Sequence, residues 1–194
     1  MSPPHDWVTG RTERQCLFPE ASRWGDWGLK RRIPRQMGRR ILGGRDGINR
    51  MRRVALFPAT FDPPTLGHME TISRSATVFD EVVVAVYAEP AKATLFTVAE
   101  RLALVEASVL ELGVPNVRVR SYSGQLTVDL ARVEGAAAVI RGLRAVSDFY
   151  YELQLAHTNK VLAPEIETVV LMASPKYSFL SSTIVREVAR LGGD

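Results

Sequence analysis

The sequence predicts a doubly wound α/β domain built on a five-stranded parallel sheet, and three observations carry that prediction. From residue 51 onward, short apolar runs alternate with longer stretches of helical spacing. The short runs lack an inside–outside alternation, as expected of strands covered by helices on both faces. The chain has 194 residues, enough for one ordinary domain with a sizeable core.

The elements follow in order. Val54–Pro58 reads as a buried strand, and Met69, Ile72, Ala76 and Phe79 then fall on one helical face. Asp80 and Glu81 mark a turn before a strand at Val82–Val86. Thr97 and Glu100 have the spacing of a capping box, ahead of Leu102, Val105, Val109 and Leu112 on one helical face. Strand Val117–Val119, helix Leu126–Val133 and strand Ala138–Ile140 come next. The last elements are a helix over Asp148–Leu162, a strand at Val169–Met172 and a helix over Ser182–Leu191. Open α/β sheets bind ligands beyond the carboxyl ends of their strands, so the residues following each strand are the functional candidates.

Composition narrows the function. Apolar residues make up 46% of the chain and charged residues 24%, which fits a globular protein. No window approaches 18 consecutive apolar residues, so no membrane partner is expected. The single cysteine, Cys16, forms no intrachain disulfide or multi-cysteine metal site, which favours a reducing, cytoplasmic location. The net charge of +4 is unevenly placed: residues 1–50 hold eleven Lys and Arg against five Asp and Glu, whereas residues 51–194 hold fourteen against sixteen. The second part thus has no bulk positive charge to hold a polyanion, and no nucleic-acid partner is expected. Residues 1–50 contain all three tryptophans and no sustained periodicity. They are expected to be a basic, disordered extension or the product of an overlong gene model, with Met51 a sensible alternative start. A basic arm for RNA or membrane is the competing reading of that segment.

Three segments carry chemistry. The first, Phe57–His68, reads FPATFDPPTLGH, leaving one strand and entering a helix. Three prolines restrict it, and Gly67 permits close approach or an unusual dihedral. His68 in the first helical turn can donate a hydrogen bond to a phosphate oxygen, and Thr60 supplies a hydroxyl from the other end of the loop. The plain alternative is that His68 caps the helix. Asp62 is a turn former or a magnesium contact. The loop lacks the GxxxxGK pattern of a Walker A segment. The second segment, Ile140–Phe149, places Arg141 and Arg144 on either side of Gly142 after a strand. Guanidinium forks match phosphate oxygens, although a salt-bridged loop is the plain alternative. The third, Tyr177–Glu187, sets Ser181, Ser182 and Thr183 before a helix, as an N-cap or an anion site. Lys92, beyond the second strand, is either a solvated lysine or a neutraliser of phosphate charge.

Thr60-Phe61-Asp62-Pro63 with Thr65-Leu66-Gly67-His68 resembles the T/HxGH nucleotidyltransferase signature. With RGLRAVSDFYYE and the Ser181–Arg186 run, residues 51–194 resemble the bacterial phosphopantetheine adenylyltransferase family. The resemblance implies a Rossmann-like nucleotidyltransferase fold and transfer of AMP from ATP to 4′-phosphopantetheine. It implies that His68 and Thr60 stabilise the transition state, and that Lys92 contacts the phosphates of both substrates. Arg144 would bind the triphosphate and Arg141 the acceptor side. Phe61, Glu152 and the run Tyr177, Ser178, Phe179, Leu180, Ser181, Ser182 and Thr183 would line the nucleotide site. Leu126 would form an acceptor wall, with Gln125 and Leu171–Ala173 beside the pantetheine arm. Asp62, Gly67, Gly142 and Asp148 would support these loops. Mg2+ would arrive with ATP and have no dedicated protein cage. His157 would be structural or at a subunit interface, in a homo-oligomer, typically a hexamer. The sequence departs from the family pattern at Ala59, Tyr177 and Leu180, and is expected to lack the family's usual final C-terminal helix. A nucleotidyltransferase for another phosphorylated acceptor and a non-catalytic nucleotide-binding regulator are the alternatives.

Overall fold

The structure is a computed structural model that describes residues 52–91 and 93–193. The chain alternates β1 (Val54–Ala59), α1 (Leu66–Val78), β2 (Glu81–Tyr87), α2 (Val98–Leu112) and β3 (Val117–Tyr122). It continues through α3 (Thr127–Val133), β4 (Ala136–Leu143), α4 (Val146–Leu162), β5 (Glu167–Met172) and α5 (Ser182–Arg190). The five strands form one parallel sheet in the order β3-β2-β1-β4-β5. Parallel neighbours need a crossover, and each crossover here contains a helix. The order reverses between β1 and β4, so the connections leaving these two strands diverge and open a crevice at their carboxyl ends.

The central strands are covered on both sides, which explains their unbroken apolar sequence. Leu56, Val83, Ala85 and Val139 pack on one face against Val128, Leu130 and Ala131 of α3. Ala55, Phe57, Val82, Val84 and Val86 pack on the other against Met69 and Ile72 of α1 and Val105 and Val109 of α2. Each valine fully buried in this way stabilises the fold by roughly 1.5–3 kcal/mol. Local signals then set the helix limits. Thr97 and Glu100 form the expected capping box at α2. That helix ends at Gly113 with φ 65°, a left-handed conformation that favours glycine.

Two expectations need correction. The absence of alternation holds for β1 and β2 but not for the edge strands. β3 has a neighbour on one side only, and Arg118 and Arg120 leave its surface to pair with Glu81 and Glu134. β5 exposes Val170 and Met172, and no residue of α4 is buried. The second correction concerns β4, which runs on through Leu143. Arg141 and Gly142 are therefore strand residues paired with Val170 and Leu171, not members of a loop. Sheet pairing gives Arg141 a fixed backbone, and Arg144 is the first of the two arginines free of the ladder.

Candidate active site

The crevice between β1 and β4 is a cleft of about 320 Å³. Its walls are the β1–α1 loop with Thr60, the start of α1 with His68, and the end of β4 with Arg141 and Gly142. Arg144, Glu152 of α4 and residues 180–183 before and within α5 complete it. Three segments, within residues 57–71, 141–152 and 173–186, thus share one cavity.

His68 proves to be both cap and candidate donor. Thr65 precedes α1, and its backbone N–H donates to His68 Nδ1 at 3.0 Å. The Thr65 hydroxyl also lies 3.1 Å from Nδ1. An imidazole nitrogen that accepts a backbone N–H carries no proton, so the proton of the neutral ring sits on Nε2. Burial, seconded by the Arg144 charge, lowers the His68 pKa from 6.5 to about 4. The ring is therefore a neutral Nε2–H donor throughout the physiological range. Phe61 packs beneath it with ring centroids 5.0 Å apart. The unusual dihedral expected at Gly67 falls instead on Phe61, whose φ is 52° and which is sealed in the core. Gly67 is helical, and a Cβ there would meet nothing closer than 3.6 Å.

The arginines are held by carboxylates. Glu152 takes Arg141 through two parallel bonds, Nε to Oε2 at 2.6 Å and Nη2 to Oε1 at 2.8 Å. Arg141 Nη1 also donates to the Pro58 carbonyl at 3.2 Å. Burial alone would lower the Arg141 pKa, but the bonds and charge of Glu152 outweigh it and the net shift is upward. Arg144 donates to Asp148, Nε to Oδ2 at 3.2 Å, and to the Leu180 carbonyl at 3.0 Å. This second pair is more open, with 40% of the Arg144 side chain exposed against 25% for Arg141. Each guanidinium is salt-bridged, and each also lines the cleft. At α5, Ser181 Oγ accepts the Ile184 N–H at 3.1 Å, and Ser182 Oγ donates to the Pro63 carbonyl at 2.8 Å.

Asp62 is an organiser of loops. It is buried, accepts from the backbone N–H groups of Leu95 and Phe96 at 2.9–3.1 Å, and pairs with Arg186 Nη1 at 3.1 Å. Its oxygens are engaged by donors 33, 34 and 124 residues away, so it clamps neighbouring segments together rather than closing its own turn. Arg101 went unremarked in the sequence, although it precedes Val105 by one helical turn on the buried face of α2. That position was the available signal. Arg101 is 1% exposed and donates to the carbonyls of Thr60, Tyr87, Ala88 and Phe96. Burial lowers its pKa, against the opposing charge of Asp62.

Other predicted residues stand apart from this cavity. Leu126, Tyr177, Ser178, Phe179 and Asp148 are not among the residues lining it. Leu126 and Phe179 are exposed, and Tyr177 lies beside Gly67 with Lys176 Nζ 5.0 Å from its ring centre. Lys92 and residues 1–50 lie outside the described residues. His157 is exposed on α4. Among the described residues, no helix is long and apolar enough to cross a membrane.

The cytidylyltransferase-like family pattern matches residues 56–188. A phosphopantetheine adenylyltransferase of Desulforudis audaxviator is 57% identical over 141 residues, covering 73% of this chain and 85% of that protein. One from Synechococcus sp. WH7803 is 55% identical over 139 residues, covering 72% and 82%. Among solved structures, the Plasmodium falciparum nicotinic acid mononucleotide adenylyltransferase complexed with NaAD superposes with a TM-score of 0.56. It is 12% identical and covers 74% of this chain and 86% of that one. At that identity the likeness speaks to the Rossmann-like nucleotidyltransferase fold alone.

Proposed function

The chain belongs to the phosphopantetheine adenylyltransferase family, and from that premise we propose how its residues divide the work. The enzyme transfers AMP from ATP to 4′-phosphopantetheine, yielding dephospho-coenzyme A and pyrophosphate in coenzyme A biosynthesis. The observation that carries the division of labour is the meeting of Thr60, His68, Arg141, Arg144 and the start of α5 around one cleft.

An oxygen of the acceptor phosphate attacks the α-phosphorus in line, a new P–O bond forms, and the bond from the α-phosphorus to the bridging oxygen breaks. Pyrophosphate departs with that electron pair. A phosphate monoester is already a nucleophile at neutral pH, so alignment and charge stabilisation supply the rate enhancement. His68 Nε2–H and the Thr60 hydroxyl donate to the α-phosphoryl oxygens as they gain charge. Arg144 and the backbone N–H groups opening α5 hold the β- and γ-phosphates. Arg141, aimed by Glu152, takes the acceptor side together with Lys92. Phe61 and Gly67 support the imidazole, and Gly142 leaves room beside Thr71. By family resemblance Leu126 takes the acceptor and Tyr177 and Phe179 the nucleotide, beyond the walls of the cleft itself. Mg2+ enters as part of the Mg–ATP substrate, coordinated by phosphate oxygens.

The exposed aromatic side chains Phe149, Tyr150 and Tyr151 near the start of α4 support assembly as a homo-oligomer, a hexamer by family resemblance, in the cytoplasm. Pyrophosphate release from Mg–ATP, with and without 4′-phosphopantetheine, tests the reaction. Strong stimulation by that acceptor and none by nicotinamide mononucleotide is expected. The reverse preference would overturn the proposal.

A further inference from the structure

One buried cation ties together the ends of two strands beside the cleft. Arg101 Nη1 donates at 2.7 Å to the Thr60 carbonyl beyond β1 and at 2.7 Å to the Tyr87 carbonyl of β2. Its Nη2 donates to the Ala88 carbonyl at 3.1 Å, and its Nε to the Phe96 carbonyl at 3.1 Å. Residues 88 and 96 are the two stems of the β2–α2 connection, so one guanidinium closes that connection and joins it to the β1–α1 loop. Asp62 reinforces the join from the other side by accepting the Leu95 and Phe96 N–H groups.

The bond to Thr60 falls on a strained peptide. The Thr60 carbonyl belongs to the peptide unit that leads into Phe61, whose φ of 52° is left-handed. A non-glycine residue holds that conformation only where its surroundings impose it. Arg101 therefore fixes the plane from which the Thr60 side chain leaves for the cleft. A planar fork with five donors can serve four carbonyls at once, whereas a lysine ammonium is a point charge with three donors.

We propose that Arg101 is a positioning residue for nucleotidyl transfer, acting through the Thr60 main chain on the placement of the Thr60 hydroxyl. It rests on the function proposed above, and it separates Arg101 from the groups that bind ATP. The triphosphate side of the cleft is built by Arg144 and α5, neither of which Arg101 touches. Loss of the fork misplaces Thr60 and leaves nucleotide affinity nearly intact.

The test is a double-mutant cycle on the full-length enzyme with Arg101→Lys, Thr60→Ala and their combination. It reads kcat, KM for 4′-phosphopantetheine, and the equilibrium dissociation constant for Mg–ATP. Thermal unfolding confirms that each variant is folded. Arg101→Lys is expected to lower kcat about tenfold to a hundredfold while the ATP constant moves less than about threefold; a tenfold change corresponds to about 1.4 kcal/mol. Thr60→Ala is expected to cost much less in the Arg101→Lys background than alone, because the hydroxyl is already misplaced. A folded Arg101→Lys enzyme with wild-type kcat, equal losses in kcat and ATP affinity, or multiplicative effects of the two substitutions would each overturn the proposal. So would failure of Arg101→Lys to fold, since the guanidinium would then be a framework group. If the wild-type enzyme turns over only a different phosphorylated acceptor, the functional reading fails, and the cycle run with that acceptor decides the role of Arg101.

Discussion

Replacing His68 separates two jobs that one ring performs. Nδ1 accepts the Thr65 N–H at 3.0 Å and so caps α1, which leaves Nε2–H as the donor toward the cleft. His68→Ala removes both functions. Loss of the cap costs about 1 kcal/mol, equivalent to a Tm decrease of roughly 2–4 °C for a domain of this size. Loss of one preorganised donor to a developing oxyanion costs about 2.7–4 kcal/mol, or roughly a hundredfold to a thousandfold in kcat. His68→Gln distinguishes the two. Glutamine at the third helical position can accept the Thr65 N–H, as in an ordinary capping box. The Gln variant should therefore recover most of the Tm while kcat stays low. ATP affinity, measured at equilibrium, should change little in either variant, because the interaction strengthens only in the transition state. A kcat loss matched by an equal loss of ATP affinity, or restored together with Tm in His68→Gln, would refute the reasoning.

Three further outcomes follow from the same geometry. The His68 pKa lies near 4 in the folded chain against 6.5 when exposed, so between those values the unfolded chain binds the additional proton. The stability this protects is complete above pH 6.5 and falls by up to about 3 kcal/mol as pH drops toward 4; urea unfolding at pH 7 and 4.5 should show a larger decrease for wild type than for His68→Gln. Arg144→Ala should raise the KM for ATP about tenfold, the loss of one charge-assisted phosphate contact, yet change stability by no more than about 1 kcal/mol because the pair with Asp148 is open to solvent. Glu152→Gln leaves the more buried Arg141 without its counter-charge, so stability should fall by about 1–3 kcal/mol and the KM for 4′-phosphopantetheine should rise, as chemical denaturation and steady-state kinetics would measure.

The order of elements was legible because its signals lie within short windows. The capping box at Thr97 and Glu100 spans four residues, and the apolar runs of β1 and β2 record burial on both faces. The same holds for FPATFDPPTLGH, whose ends are both set by one strand-to-helix connection. The capping reading of His68 and the salt-bridged reading of the arginines were also legible, and the structure bears out both.

What tertiary structure alone decided are the relations between distant residues. Arg101 reaches a carbonyl 41 residues away, and Arg186 a carboxylate 124 residues away. Neither distance has any trace in periodicity or local spacing. Strand order likewise depends on which crossover packs on which face, and that order is what places β4 beside β1 and Arg141 beside the His68 loop. The sequence by itself determined where strands and helices form and which side chains stand at their ends, since backbone preference and burial are local or periodic properties. Packing determined which of those ends meet, since a charged group leaves water only where the fold delivers its partners.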